Sequence, residues 1–265
     1  MNIKIVIASG LFLLSFIGCS SSEMIQSSAV ETGIVVDGNQ DEWSGKLKFI
    51  ENERAAVGFQ NDDENLYICF VSTDKAGVMK ILSLGLTVWF QPENGEQMVG
   101  LQFPKRMDKV APRSLMGKNR EQNEKTDFEV TVKTMMQNQG EYSIVNEDEE
   151  ILFASPLGSN DGYQIKIGVQ NHQFVYEAKI PIGNNNLAQI PINVFPSEKI
   201  KIGFVSGEFD KDEMKNDEPM DSEISDGQGS HNGMGGGHGN GAGKQGLNRT
   251  GIKRLNFDVE VKLAE

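Results

Sequence analysis

The chain has 265 residues, with 38 acidic side chains against 25 basic ones, a net charge of −13 and a pI near 4.8. That balance argues against nucleic acid as a partner, because affinity there comes from cations that neutralise phosphates. Two cysteines, Cys19 and Cys69, are too few for a disulfide framework, and no Cys-x-x-Cys-His segment exists for covalent haem attachment.

Lys4 gives a short basic start, and the apolar run "IVIASGLFLLSFIG" follows, ending at Gly18-Cys19. The run is too short for a spanning helix, so residues 1–18 read as an export signal. Gly18-Cys19 resembles the bacterial lipobox, with Phe16 bulkier than the usual Leu or Val. The resemblance implies cleavage before Cys19 and a lipid on Cys19, so the membrane is one expected partner. Ser20 in place of Asp implies outer-membrane sorting of a periplasmic lipoprotein, by likeness to the enterobacterial rule. Residues 19–30, rich in serine, are then expected to form a flexible tether, leaving residues 31–265 as a single domain.

Along that domain, alternation with a period of two dominates. "GIVVDG" from Gly33 reads as an opening strand and turn, shaped by Asp37 and Gly38, with Trp43 seating the strand on the core. Residues 55–71 predict a hairpin whose turn is Asn61 to Asn65; Cys69 inside it reads as core packing. "LSLGLTVWF" predicts a strand with Leu84, Leu86, Val88 and Phe90 on one face and Gly85, Thr87, Trp89 and Gln91 on the other. "EQMVGLQF", "DFEVTV" and "EYSIV" predict further strands, with residues 104–126 a basic surface loop. "YQIKIGVQNHQFVYEAKI" predicts a second hairpin turning at Gln170 to Gln173, and "KIKIGFV" another strand. Residues 208–250 are acidic and then glycine-rich, a composition expected to stay disordered. The last strand follows, with Leu255, Phe257, Val259, Val261 and Leu263 on its buried face. No segment shows a helical period of similar quality. Many strands joined by polar turns predict an all-β, antiparallel β-sandwich or barrel-like domain.

Three segments, "IVVDGNQDEW", "GFQNDDENLYICFVSTD" and "FVYEAKIPI", occur in the order found in DOMON-like family 9 carbohydrate-binding modules, and the chain is similar to that family over Gly33 to Ile182. The resemblance implies a sandwich of immunoglobulin or jelly-roll type that binds sugar without catalysis; relatives with a similar sandwich bind haem. The family's sugar binders hold a sugar between two tryptophans, with carboxylates and amides on the hydroxyls. This chain has two tryptophans. Trp89, on a face with small and polar neighbours, and Gln91 beside it are the ligand-binding candidates, with Trp43 as the second aromatic, although its place in the opening element favours the core.

Other chemistry is weaker. Asp37, Asn39 and Asp41 alternate as hard-cation ligands would, so a structural Ca2+ is one expectation. The EF-hand pattern fails at Glu42 and Lys48, and Asx-turn bonding is the competing reading. Haem would need an axial pair such as His172 with Met79 or Met98, and no spacing selects one. His231, Met234 and His238 lie in the glycine-rich insertion, a poor metal site. Gly-x-Ser-x-Gly, His-Glu-x-x-His and P-loop motifs are absent, which leaves no enzyme reading. The expected function is a lipid-anchored, non-catalytic binding module for a carbohydrate or other small polar ligand. An envelope lipoprotein that binds a protein partner, and a haem electron-transfer module, are the alternatives.

Overall fold

The computed structural model describes residues 24–30, 33–95, 97–107, 128–208 and 254–265. The expected signal, Cys19, most of the basic loop and nearly all of the 208–250 insertion lie outside the described residues.

Two sheets pack face to face as a β-sandwich, as the alternation predicts. The seven-stranded sheet runs in the order β1 (Met24–Gln26), β13 (Asn256–Lys262), β12 (Lys199–Ser206), β6 (Leu86–Pro92), β7 (Val99–Gln102), β8 (Glu141–Val145) and β9 (Ile151–Pro156). The six-stranded sheet runs β10 (Gln164–Gln170), β11 (Gln173–Pro181), β5 (Asn65–Ser72), β4 (Ala55–Asn61) and β2 (Ser28–Ala29), with β3 (Lys48–Ile50) also on β4. Inward residues of both sheets form one core. Phe70 on β5 stacks on Phe204 on β12, centroids 5.5 Å apart, across the gap between the sheets. Every residue of β5 is buried, because the sheet it runs through is covered on both faces.

Both predicted hairpins form in the expected register. In the second, Asn171 and His172 hold φ values of 51° and 62°, the left-handed pair of a two-residue type I′ turn. One predicted strand and the start of another are helical instead. Leu82 to Leu84 close α1 (Lys75–Leu84), which carries the chain from β5 to β6. Phe128 to Val132 begin α2 (Phe128–Met136), which packs on α1 and β10.

The N-terminal expectations also change. Residues 24–29 are strands, not tether: β1 lies parallel to β13 and β2 parallel to β4, so the segment crosses from one sheet to the other. Ser27 between them is 3% exposed. "GIVVDG" belongs to no sheet and ends in a bend at Asp37-Gly38. It covers the outer face of the six-stranded sheet, where Ile34, Val30 and Leu47 pack with Trp43, Tyr67, Cys69, Val71 and Val175 as a second, smaller core.

Candidate functional site

The tryptophans occupy opposite circumstances. Trp43, in a 3-10 turn at Asp41–Trp43, is 1% exposed and lies over Gly58 of β4, so close that a Cβ there would sit 2.8 Å from its ring. Its indole Nε1 donates to Glu177 Oε1 at 2.7 Å. Glu177, on β11, is 1% exposed, and its other oxygen accepts from the backbone N–H of Gly38 at 2.7 Å and of Asp37 at 3.0 Å. Trp43 as a ligand contact is therefore corrected: burial and this bond leave no face for a sugar. Glu177 is the residue the sequence reading missed. On an alternating strand it reads as solvent-facing, and nothing local signals that residues 34–47 will cover it.

The same segment disposes of the cation expectation. Asp37 Oδ1 accepts from Asn39 N at 2.8 Å and Oδ2 from Asn39 Nδ2 at 3.0 Å, an Asx turn. Asp41 Oδ1 accepts from Gln170 Nε2 at 2.8 Å, while Gln40 N donates to Gln170 Oε1 at 2.9 Å. The oxygens of Asp37 and Asp41 thus serve turn closure and attachment to the β10–β11 tip, not a common cation. Among the described residues no group of three His, Cys, Asp or Glu side chains could hold a metal ion. His172 is exposed at that tip, Met79 packs on the core from α1, and Met98 precedes β7, so the haem candidates are spread over separate elements. Cys69 is fully buried; burial, then Glu177 and Glu42, push its thiol pKa up, the opposite of what a nucleophile needs.

Trp89 sits differently. On β6 it faces outward from the seven-stranded sheet, half-buried, between Gly100 of β7 and Gly203 of β12. The ring leans over Gly100, where a Cβ would come within 2.9 Å of two ring carbons. Over Gly203 the space is open: a Cβ there would meet only ordinary contacts, the nearest Trp89 Cβ at 3.5 Å. The result is a shallow hollow of about 180 Å³ with Gly203 as its floor and Trp89 and Met98 as apolar walls. Gln91, Asn256, Lys201 and Asp258 supply its polar rim, all exposed. Lys201 Nζ lies 3.0 Å from Asp258 Oδ2, so the rim's two charges neutralise one another. Larger hollows of about 390 Å³ beside the start of α1 and about 500 Å³ at residues 105–107 and 138–141 offer no exposed aromatic face. The Trp89 hollow alone among these three joins an aromatic wall to amide, ammonium and carboxylate groups.

No protein-family model matches the chain, and no curated protein matches it. Among solved structures it is similar to a family 9 carbohydrate-binding module from Caldicellulosiruptor kristjanssonii in complex with glucose. That match has 12% identity and a TM-score of 0.33, and covers 72% of this chain and 81% of that one. A structure of a family 9 module from the same organism with cellotriose gives 12% identity and a TM-score of 0.35, covering 72% of this chain and 80% of that one. Identity is too low, and superposition too loose, for any residue of those proteins to be matched to one here.

Proposed function

We propose that the protein is a non-catalytic carbohydrate-binding module that takes a sugar ring on the outer face of its seven-stranded sheet, against Trp89. The observation that carries this reading is the half-exposed indole beside the open Gly203 floor, ringed by hydrogen-bonding side chains. A pyranose presents C–H groups on its faces and hydroxyls around its rim. Indole covers the first, while Gln91, Asn256, Lys201 and Asp258 can meet the second. The hollow is smaller than a drug-sized pocket, which suits one ring of a surface-bound glycan.

Trp89 carries the stacking, so Trp89→Ala removes roughly 2 kcal/mol of contact and weakens binding more than tenfold. Gly203→Val raises the floor, where its Cβ meets only ordinary contacts, and blocks the sugar; the melting temperature checks that the fold is kept. A glycan array identifies the sugar, and intrinsic fluorescence checks the site. In Trp43→Phe the remaining Trp89 emission shifts on titration; in Trp89→Phe the buried Trp43 emission does not. Binding that survives both Trp89→Ala and Gly203→Val would remove the sugar from this face.

The module is held to the cell envelope, at the outer membrane, by lipid on Cys19. The support is the lipobox-like Gly18-Cys19 after an apolar run. Labelled palmitate is incorporated into the wild-type chain and not into Cys19→Ser, which is released from the membrane fraction. Label retained in Cys19→Ser would exclude this anchor.

A further inference from the structure

Resting on the sugar reading of the Trp89 hollow, we infer that Asp258 is its specificity-determining residue, which holds Lys201 and turns away rings that carry a carboxylate or sulfate. The strand register fixes the arrangement. Gly203 of β12 pairs with Trp89 of β6 on one side and with Asp258 of β13 on the other. Asp258 thus stands across the glycine floor from the indole, two strand spacings or about 10 Å away, a width that suits a pyranose with its hydroxyls. Lys201, one outward position along β12, lies between Gln91 and Glu260. Val205, one outward position the other way, lies between Thr87 and Asn256. One end of the hollow is therefore uncharged, and the other brings one ammonium together with two carboxylates.

Lys201 is the cation that an acidic sugar would seek, and Asp258 already holds it. Lys201 Nζ lies 3.0 Å from Asp258 Oδ2. Asp258 Oδ1 has no partner among the described residues, so it can accept from a sugar hydroxyl. Neighbouring cations offer no substitute for Lys201. Lys199 has Glu93 at 3.7 Å, and Arg254 has Glu208 at 3.1 Å. Lys262 is four residues along β13 from Asp258, or about 13 Å, further than the Debye length of about 8 Å in physiological salt.

A ring carboxylate in the hollow would meet Asp258 and Glu260, with Lys201 already paired, and the chain's charge of −13 adds to the repulsion. A neutral ring meets a carboxylate acceptor and the amides of Gln91 and Asn256, which make no side-chain hydrogen bond among the described residues. The Lys201 and Asp258 side chains are 48% and 44% exposed, so the discrimination is that of a surface ion pair, about fivefold, and salt reduces it.

The test is calorimetric titration of the full chain, in a detergent without a sugar headgroup, with the methyl glycosides of glucose, galactose and mannose and, beside each, its uronic acid. In the pair that binds, the neutral member is expected to bind about fivefold tighter at low salt, and the gap shrinks as salt rises. Asp258→Asn keeps the side chain's size, frees Lys201 and brings the uronide level with its neutral partner or above it. That gain disappears in the double variant Asp258→Asn with Lys201→Gln, and an unchanged melting temperature checks the fold of both. A uronide that the wild type binds as tightly as its neutral partner, in a manner abolished by Trp89→Ala, overturns the role of Asp258 and leaves the sugar site standing. A gap that Asp258→Asn leaves unchanged does the same. A chain that takes no glycan, neutral or acidic, in titration or on the array loses the sugar reading and the role of Asp258 together.

Discussion

Glu177 is a carboxylate with almost no water and three N–H donors, and it ties Trp43, Gly38 and Asp37 to β11. Glutamine there keeps the shape but turns one acceptor into a donor, which must face an indole or backbone N–H. That mismatch costs about 2–3 kcal/mol of stability, read by urea unfolding. The pH dependence has a definite sign. Burial raises the Glu177 carboxyl pKa above its ordinary 4.5, outweighing the three donors, with Asp37 adding to the rise. The folded chain then holds that proton more tightly than the unfolded one. Its contribution to stability is whole below pH 4.5 and is lost as pH rises through the folded value. The stability gap between wild type and Glu177→Gln is therefore wider at pH 4 than at pH 7; a level gap, or one that widens with pH, contradicts the assignment.

Strands were legible where one face was buried and the other wet, and the two hairpins and β12 and β13 follow their alternation. Helices were not. "LSLGLTVWF" alternates straight through an element boundary: Leu82 and Leu84 end α1, and Leu86 to Phe90 are β6. The break is Gly85, at φ 90°, whose N–H donates to Ile81 O. The signals for α1 were present but weak: Asp74, whose side chain accepts from Ala76 N, and buried Val78, Ile81 and Leu82 at helical spacing. In α2, Phe128, Val130 and Val132 imitate a strand, while Val132, Met135 and Met136 turn to the core at helical spacing. Trp89's outward face could be read from alternation, but the Glu177 contacts could not, because they join residues about 140 apart. Two substitutions test the helix boundaries. Asp74→Ala removes the cap at about 1 kcal/mol. Gly85→Ala costs more, since a Cβ would sit 3.0 Å from Pro104 O at a φ that disfavours side chains. Chemical denaturation ranks the pair, and the reverse order would mean that the cap outweighs the turn.

Closure of the sandwich depends on the segment expected to be a tether. Between β1 and β2, Ser27 Oγ donates to Asn61 Oδ1, and the same oxygen accepts from Ala264 N at 2.8 Å while Asn61 Nδ2 donates to Ala264 O at 3.1 Å. Ser27 N also reaches Lys262 O at 3.0 Å, and Val30 N reaches Asn61 O at 3.1 Å. Asn61, itself 2% exposed, thus fastens the first and last strands of one sheet to β4 of the other. A sandwich whose first and last strands meet at one buried side chain is open to local loss of order there before the middle is disturbed. Asn61→Ala takes away the acceptor of the Ser27 hydroxyl and the amide donor to Ala264 O, while the Ala264 N–H keeps Ser27 Oγ at 2.8 Å, and costs about 1–3 kcal/mol. The loss should be local, so amide exchange will quicken at Ile25 and Val261, which pair in β1 and β13, while Phe70 and Tyr176 in β5 and β11 keep their protection. Uniform quickening across all four would mean that Asn61 supports the whole sandwich cooperatively, and unchanged exchange at Ile25 and Val261 would mean that the ends are held by the strand pairing alone.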